Sequence, residues 1–253
     1  MSIGFSKEGF MCFSATASFV SGAVLCTLGA VTLERTLLPR ERAIASVPFI
    51  FGVQQIIEGL IWISSTEVVT STGLILMGSK FLTYSFSFFS LILWPIFLPA
   101  SVALIEPRES AKRGMRALLL PAAITTIYFI YVMFHFPIYS LILENHIQYH
   151  FTTHPPIFIS LCYCIGSVVP CFLSTHYWIK GVGGVLGGAL IFSHIYFDDS
   201  FVSVWCFFSA LMSVFIYIHF FLRRRRMGHA AYLQSKERPN HSTDSLTNLA
   251  KKN

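Results

Sequence analysis

Apolar residues run in long unbroken stretches along this chain, and polar residues gather in the short gaps between them. Seven stretches, at roughly 13–33, 43–64, 81–105, 115–135, 157–176, 178–197 and 201–222, suit membrane-crossing helices. A span needs about 20 mostly apolar residues. The third stretch lies within a longer apolar run that begins at Val68, so the pattern alone leaves its start open. The fifth and sixth are nearly continuous and predict a tight helical hairpin. None of the runs alternates polar with apolar, which excludes a transmembrane β-barrel. The expected fold is all-α: a polytopic membrane helix bundle with about seven transmembrane helices.

Charge in the gaps orients this bundle. Arg35, Arg40 and Arg42 fill the first gap, and Arg108, Lys112, Arg113 and Arg116 the third. Lys180 lies in the fifth, and Arg223 to Arg226 follow the last stretch. The second gap has only Lys80 at its far end, and the fourth and sixth have no Lys or Arg. Basic connections face the cytoplasm. The N-terminus is therefore predicted outside and the C-terminus cytoplasmic, in the inner (cell) membrane. Three regions follow: a short outer extension over 1–11, a seven-helix domain over 12–222, and a basic, disordered cytoplasmic tail over 223–253. The opening MSIGFSKEGF has no basic leader, so the first stretch reads as a reverse anchor rather than a cleaved signal peptide. Both Met1 and Met11 remain open as the start.

Composition reinforces the membrane reading. The chain is 54% hydrophobic and 12% charged, with mean hydropathy +0.64; a soluble domain carries about 25% charged residues. The net charge of +6 lies wholly in the tail, because residues 1–222 hold ten basic and ten acidic residues. A nucleic-acid partner would need a basic folded surface, and none is expected. The bilayer is the partner, with anionic lipid at the basic tail.

Three blocks carry a resemblance: Met-Cys-Phe-Ser-Ala-Thr-Ala-Ser-Phe from Met11, Gln54 to Trp62, and Phe201 to Phe208. They resemble an uncharacterised family of bacterial multi-pass membrane proteins, over Met11 to about Leu222. The resemblance implies a membrane location and no activity.

Glu58 is the first candidate for chemistry. It lies inside the second stretch, about two turns from its outer end, with Gln54, Gln55 and Trp62 on the same helical face. An acidic residue at mid-membrane costs about 2.5–3.5 kcal/mol on insertion scales. It reads either as a proton- or ligand-binding group, or as a structural carboxyl tying helices together, with Lys80 a candidate partner. His146, His150 and His154 form a second constellation in the fourth gap. On a helix their four-residue spacing aligns them on one face. With Glu144, His135, His194 and Asp198-Asp199 they are candidate ligands for a divalent metal. Pro137, Pro155 and Pro156 limit any helix there, and interfacial side chains are the plainer reading. The cysteines offer no CxxC; Cys12 and Cys206 both fall near the outer side, a candidate disulfide or two small buried residues.

Packing signals complete the reading. Gly183/Gly187 and Gly184/Gly188 let another backbone approach closely, within the chain or in a homodimer. Ser14, Ala17, Ser18, Ser21 and Gly22 do the same on the first stretch. Pro95, Pro99 and Pro170 are expected to kink their helices. The last stretch has no Lys for retinal. It has only His219 where alkaline ceramidase-like hydrolases place two zinc-binding His. A nucleophile elbow, P-loop and dinucleotide fingerprint are absent. Two functions stay open. One is a small-ligand sensor, binding protein or carrier with an outer-facing polar pocket around Glu58. The alternative is a membrane-embedded, metal-dependent enzyme using outer-face His and carboxylates.

Overall fold

A computed structural model describes residues 14–70, 73–143, 146–153, 155–196 and 201–237. The continuous apolar runs are helices, which satisfy their own backbone N–H and C=O groups without water. Helix α1 (Ala15–Glu34) begins at Ser14, whose hydroxyl oxygen accepts the Ala17 N–H at 3.2 Å. That cap serves a donor the helix itself leaves unpaired. A 3-10 turn (Pro39–Glu41) leads into α2 (Arg42–Ile63). Helix α3 (Lys80–Ser87), a π-helical segment (Phe88–Leu93) and α4 (Trp94–Ile105) run on as one rod. Helices α5 (Glu109–His135), α6 (Ile157–Leu173), α7 (Tyr177–Tyr196), α8 (Phe201–Ala210) and α9 (Met212–Glu237) complete the bundle. Among the described residues, six segments are long and apolar enough to cross a membrane: 15–34, 39–63, 80–105, 109–135, 177–196 and 202–227. The seventh apolar helix, α6, is shorter at 17 residues.

The second and fourth gaps form a sheet. Strands β1 (Thr66–Thr70) and β2 (Gly73–Met77) lie between α2 and α3, and β3 (Ile138–Leu143) and β4 (His146–Phe151) between α5 and α6. The sheet order is β1-β2-β3-β4, antiparallel throughout. Leu76 opposite Ile142 and Met77 opposite Leu141 join the two hairpins at one end of the bundle. The apolar run from Val68 therefore belongs partly to this sheet and not to the third helix. Its Val-Val-Thr and Ile residues are good strand formers.

The third rod changes register where Pro95 requires it. The Trp94 N–H bonds the Phe89 carbonyl five residues back, the widened turn of a π-helix. A proline ring clashes with the carbonyl four residues before it, and the wider turn relieves that clash. The last stretch is also interrupted. Leu211 separates α8 from α9, its N–H bonding the Phe208 carbonyl at 3.0 Å. Neither Gly nor Pro marks this break, and nothing in the structure explains it.

Close packing concentrates between α1 and α2. A Cβ added at Gly29 would lie 2.3 Å from the Phe49 nitrogen, and at Gly52 2.6 Å from the Cys26 nitrogen. Neither backbone can yield by that much, so only glycine admits this crossing. The main core then gathers Ile44, Val47 and Phe51 with Val102, Met115, Ile179 and Ile216. The two glycine pairs of α7 differ. A Cβ at Gly183 would meet Cys171 Cβ at 2.8 Å, whereas at Gly184 and Gly188 it would meet nothing within 4 Å among the described residues.

The end opposite the sheet is tied by two carboxylates. Glu41 accepts the Leu37 and Leu38 N–H groups at 3.1 and 3.3 Å and pairs with Arg223 at 2.5 Å. Glu106 accepts Thr175 N–H at 2.9 Å, Thr175 Oγ1 at 2.7 Å, Ser174 Oγ at 3.0 Å and Arg108 N–H at 3.2 Å. Burial alone would raise the Glu106 pKa, but these donors hold it below its ordinary value. The sequence gaps rich in Lys and Arg thus meet at one end, and the second and fourth gaps form the sheet at the other.

Candidate functional site

Inside the bundle, below the sheet, α2 turns three polar side chains inward. Glu58 is 3% exposed, and Gln54 and Gln55 are fully buried. Helical spacing stacks the three on neighbouring positions of one face. Ser203 of α8 donates its hydroxyl to Glu58 Oε1 at 2.5 Å, and Gln55 Nε2 donates to Oε2 at 3.2 Å. Ser21 of α1 donates to Gln55 Oε1 at 3.2 Å, and Trp94 of α4 donates its indole N–H to Gln54 Oε1 at 2.6 Å. One polar cluster therefore joins α1, α2, α4 and α8.

The sheet supplies a fifth contributor. Tyr149 of β4 stacks on Phe86 with ring centroids 4.5 Å apart. Its hydroxyl is buried without a hydrogen-bond partner among the described residues. Burial first, then the proximity of Glu58 and Cys206, pushes the Tyr149 phenol well above its ordinary pKa. It is therefore a neutral hydroxyl, able to donate and to accept. Leaving a buried donor unpaired costs about 1–3 kcal/mol. Trp94 and Cys206 also line a cavity of about 20 Å³, together with Ser167, whose hydroxyl has no partner among the described residues. That is room for a single water molecule.

A family model matches residues 11–232, described as a family of unknown function, DUF6629. The chain belongs to the DUF6629 family. Every member of the polar cluster, from Ser21 to Ser203, falls inside the matched region. The DUF6629 match begins at Met11, where the opening block begins, and continues past Leu222. No curated protein and no solved structure matches the chain.

Within this DUF6629 chain the expected site residues divide. Gln54, Gln55 and Glu58 come together. Trp62 is half-buried and packs nearby, against the apolar group of Ile61, Phe86, Ile147, Tyr149 and Cys206. Lys80 does not join them. It is exposed, with its ammonium 5.9 Å from the Tyr84 ring, and the hydrogen-bond partners of Glu58 are Ser203 and Gln55. Glu58 itself is buried, and its neighbours Gln54 and Gln55 have no exposed surface.

The histidines are placed differently from the helical expectation. His146 and His150 lie on strand β4, so four-residue spacing has no helical face to serve. The flanking prolines and the sheet pairing with β3 favour extended backbone there. His150 Nε2 lies 3.1 Å from Gln148 Oε1, and its ring stacks on Tyr139. His135 Nδ1 lies 2.9 Å from the Tyr131 carbonyl. His194 is exposed near the end of α7. Cys12, Glu144, His154, Asp198 and Asp199 lie outside the described residues, and Cys206 is buried beside the cluster. Among the described residues, no group of three or more His, Cys, Asp or Glu side chains is placed to hold a metal ion.

Sequence reasoning did not single out Ser203, Tyr149 or Trp94 as partners of the cluster. Ser203 had a signal. It stands one helical turn before Cys206 within the third block, so both share a face of α8. Tyr149 had none, because its approach depends on the unexpected sheet.

Proposed function

We propose that this protein is a multi-pass cell-membrane protein that senses, binds or carries a small polar ligand, with Glu58 at the centre of the binding site. The N-terminus faces outward and the Arg-rich end faces the cytoplasm, following the distribution of Lys and Arg. One observation carries the ligand reading: the unfilled hydrogen-bonding capacity of the Tyr149 hydroxyl, buried beside Glu58. It can donate to an oxygen atom, while Glu58 offers acceptor lone pairs. A small molecule carrying adjacent donor and acceptor groups would satisfy both. Buried polar groups are normally paired, and such a molecule would supply the missing partner. Tyr149 belongs to the sheet, so admitting a ligand moves β4 relative to α2.

The test is a thermal-shift screen of detergent-purified protein against small carboxylic acids, amino acids, alcohols and amines. At least one class should raise the melting temperature of the wild type and leave Glu58→Gln and Tyr149→Phe unshifted. If every stabilising compound acts equally on all three proteins, the site is wrong. A Glu58→Gln strain with normal expression and an unaltered phenotype would also end the reading.

A further inference from the structure

Four successive arginines end the last apolar segment, and their surroundings differ. Arg223 pairs with Glu41, Arg224 donates to the Glu34 carbonyl, and Arg225 lies over the Phe221 ring. Arg226 makes no hydrogen bond, ion pair or ring contact with the other described residues, and it is exposed. It borders a groove of about 370 Å³ between α7 and α9. Phe215, Ile218, Leu222 and Met227 form an apolar wall of this groove, each at least 44% exposed. At its polar end stand Trp178, His219, Arg223 and Arg226. Trp178 stacks on His219 at 4.2 Å, and its indole N–H is buried with no partner. The lining includes no carboxylate.

We infer that this groove binds one anionic phospholipid of the surrounding leaflet. Arg226 takes the phosphate, and an acyl chain lies along Phe215, Ile218 and Leu222 beside the Trp178 ring. Charge complementarity selects the headgroup: Arg223 is already paired with Glu41, which leaves the exposed Arg226 guanidinium at a groove whose lining includes no carboxylate. The apolar wall selects a lipid over free phosphate. It lies at the end of the last membrane-crossing segment, 202–227, where the apolar part of a bilayer gives way to headgroups. A basic residue near an anionic surface is worth roughly five-fold in partition. The site is independent of the Glu58 cluster, which lies towards the sheet.

The experiment uses the full chain in nanodiscs containing dibrominated phosphatidylglycerol or dibrominated phosphatidylcholine. Bromine quenches nearby tryptophan, and subtracting the Trp178→Phe signal isolates Trp178. The expected result is roughly five-fold preference for the anionic lipid, lost in Arg226→Gln and kept in Arg225→Gln. Millimolar inorganic phosphate should not displace the lipid. Equal quenching by the two lipids overturns the inference. So does an equal loss in both arginine variants, which would mean diffuse surface attraction. Displacement by phosphate would assign the groove to a free anion. Since Arg226 is exposed and unpaired, its replacement leaves folding intact, and Arg225→Gln controls for the lost charge.

Discussion

The hydrogen bond between Ser203 and Glu58 joins residues far apart in sequence and fixes α8 against α2. Its strength sets how firmly the polar cluster is closed. Ser203→Ala removes the donor and leaves Glu58 with Gln55 alone. Glu58→Ala removes the acceptor and strands the Ser203 hydroxyl and the Gln55 amide together. A hydrogen bond to a charged group contributes about 1.5–3 kcal/mol, whereas cycles between membrane helices average about 0.6 and reach about 1.7 kcal/mol. Burial decides between these ranges. Ser203 is 4% exposed and Glu58 3%, so water replaces neither partner. A coupling of about 1.5 kcal/mol follows, near the top of the membrane range. Ser203→Ala alone should cost about 2 kcal/mol and Glu58→Ala about 3 kcal/mol, with the double variant costing less than their sum. Reversible unfolding in mixed micelles, followed by circular dichroism on all four proteins, measures the cycle. Additivity within about 0.5 kcal/mol would show the two side chains to be independent and refute the reasoning.

Three further outcomes are expected. Gly29→Ala should destabilise the protein by at least about 3 kcal/mol, because its new methyl meets the Phe49 backbone, while Gly184→Ala should be near neutral; melting temperatures of the two variants compare them directly. Glu106 has a folded pKa below its ordinary value. Its contribution is therefore complete above the unfolded pKa and disappears as pH falls through the folded one, so stability below about pH 4.5 should fall less steeply in Glu106→Gln. Tyr149→Phe removes a buried hydroxyl that has no partner, and should leave the ligand-free protein unchanged or more stable by about 1 kcal/mol; a loss of stability above that size would mean the hydroxyl is already bonded.

The helices were legible because a run such as Arg42–Ile63 contains little besides apolar residues, and length then decides. The same rule obscured the sheet. Val68 to Met77 is apolar enough to merge with the following helix, and only pairing with Ile142 and Leu141 makes strand the better state. Tertiary contacts chose there, and sequence reading has no access to them. Glu58, Gln54 and Gln55 were visible as a polar face in an apolar segment. Their partners were not, because Ser203 and Trp94 come from other helices and look unremarkable in their own. The His spacing misled in the opposite direction: a four-residue repeat suggests a helix only where the backbone is helical, and β4 is extended. Lys80 stands at the start of the third apolar stretch, and it lies at the first turn of α3 on the exposed side.

The pairing of β2 with β3 bears on how the protein is made. About 60 residues of chain separate the two strands, including all of α3, α4 and α5. At a synthesis rate of about 5–20 residues per second, the first hairpin must wait about 3–12 seconds for its partner to emerge. During that interval the open edge of β2 is available to any extended segment nearby. The first hairpin closes around Gly73, and α3 begins only three residues after β2 ends. Such brevity limits how far the waiting edge can stray from the site where β3 arrives.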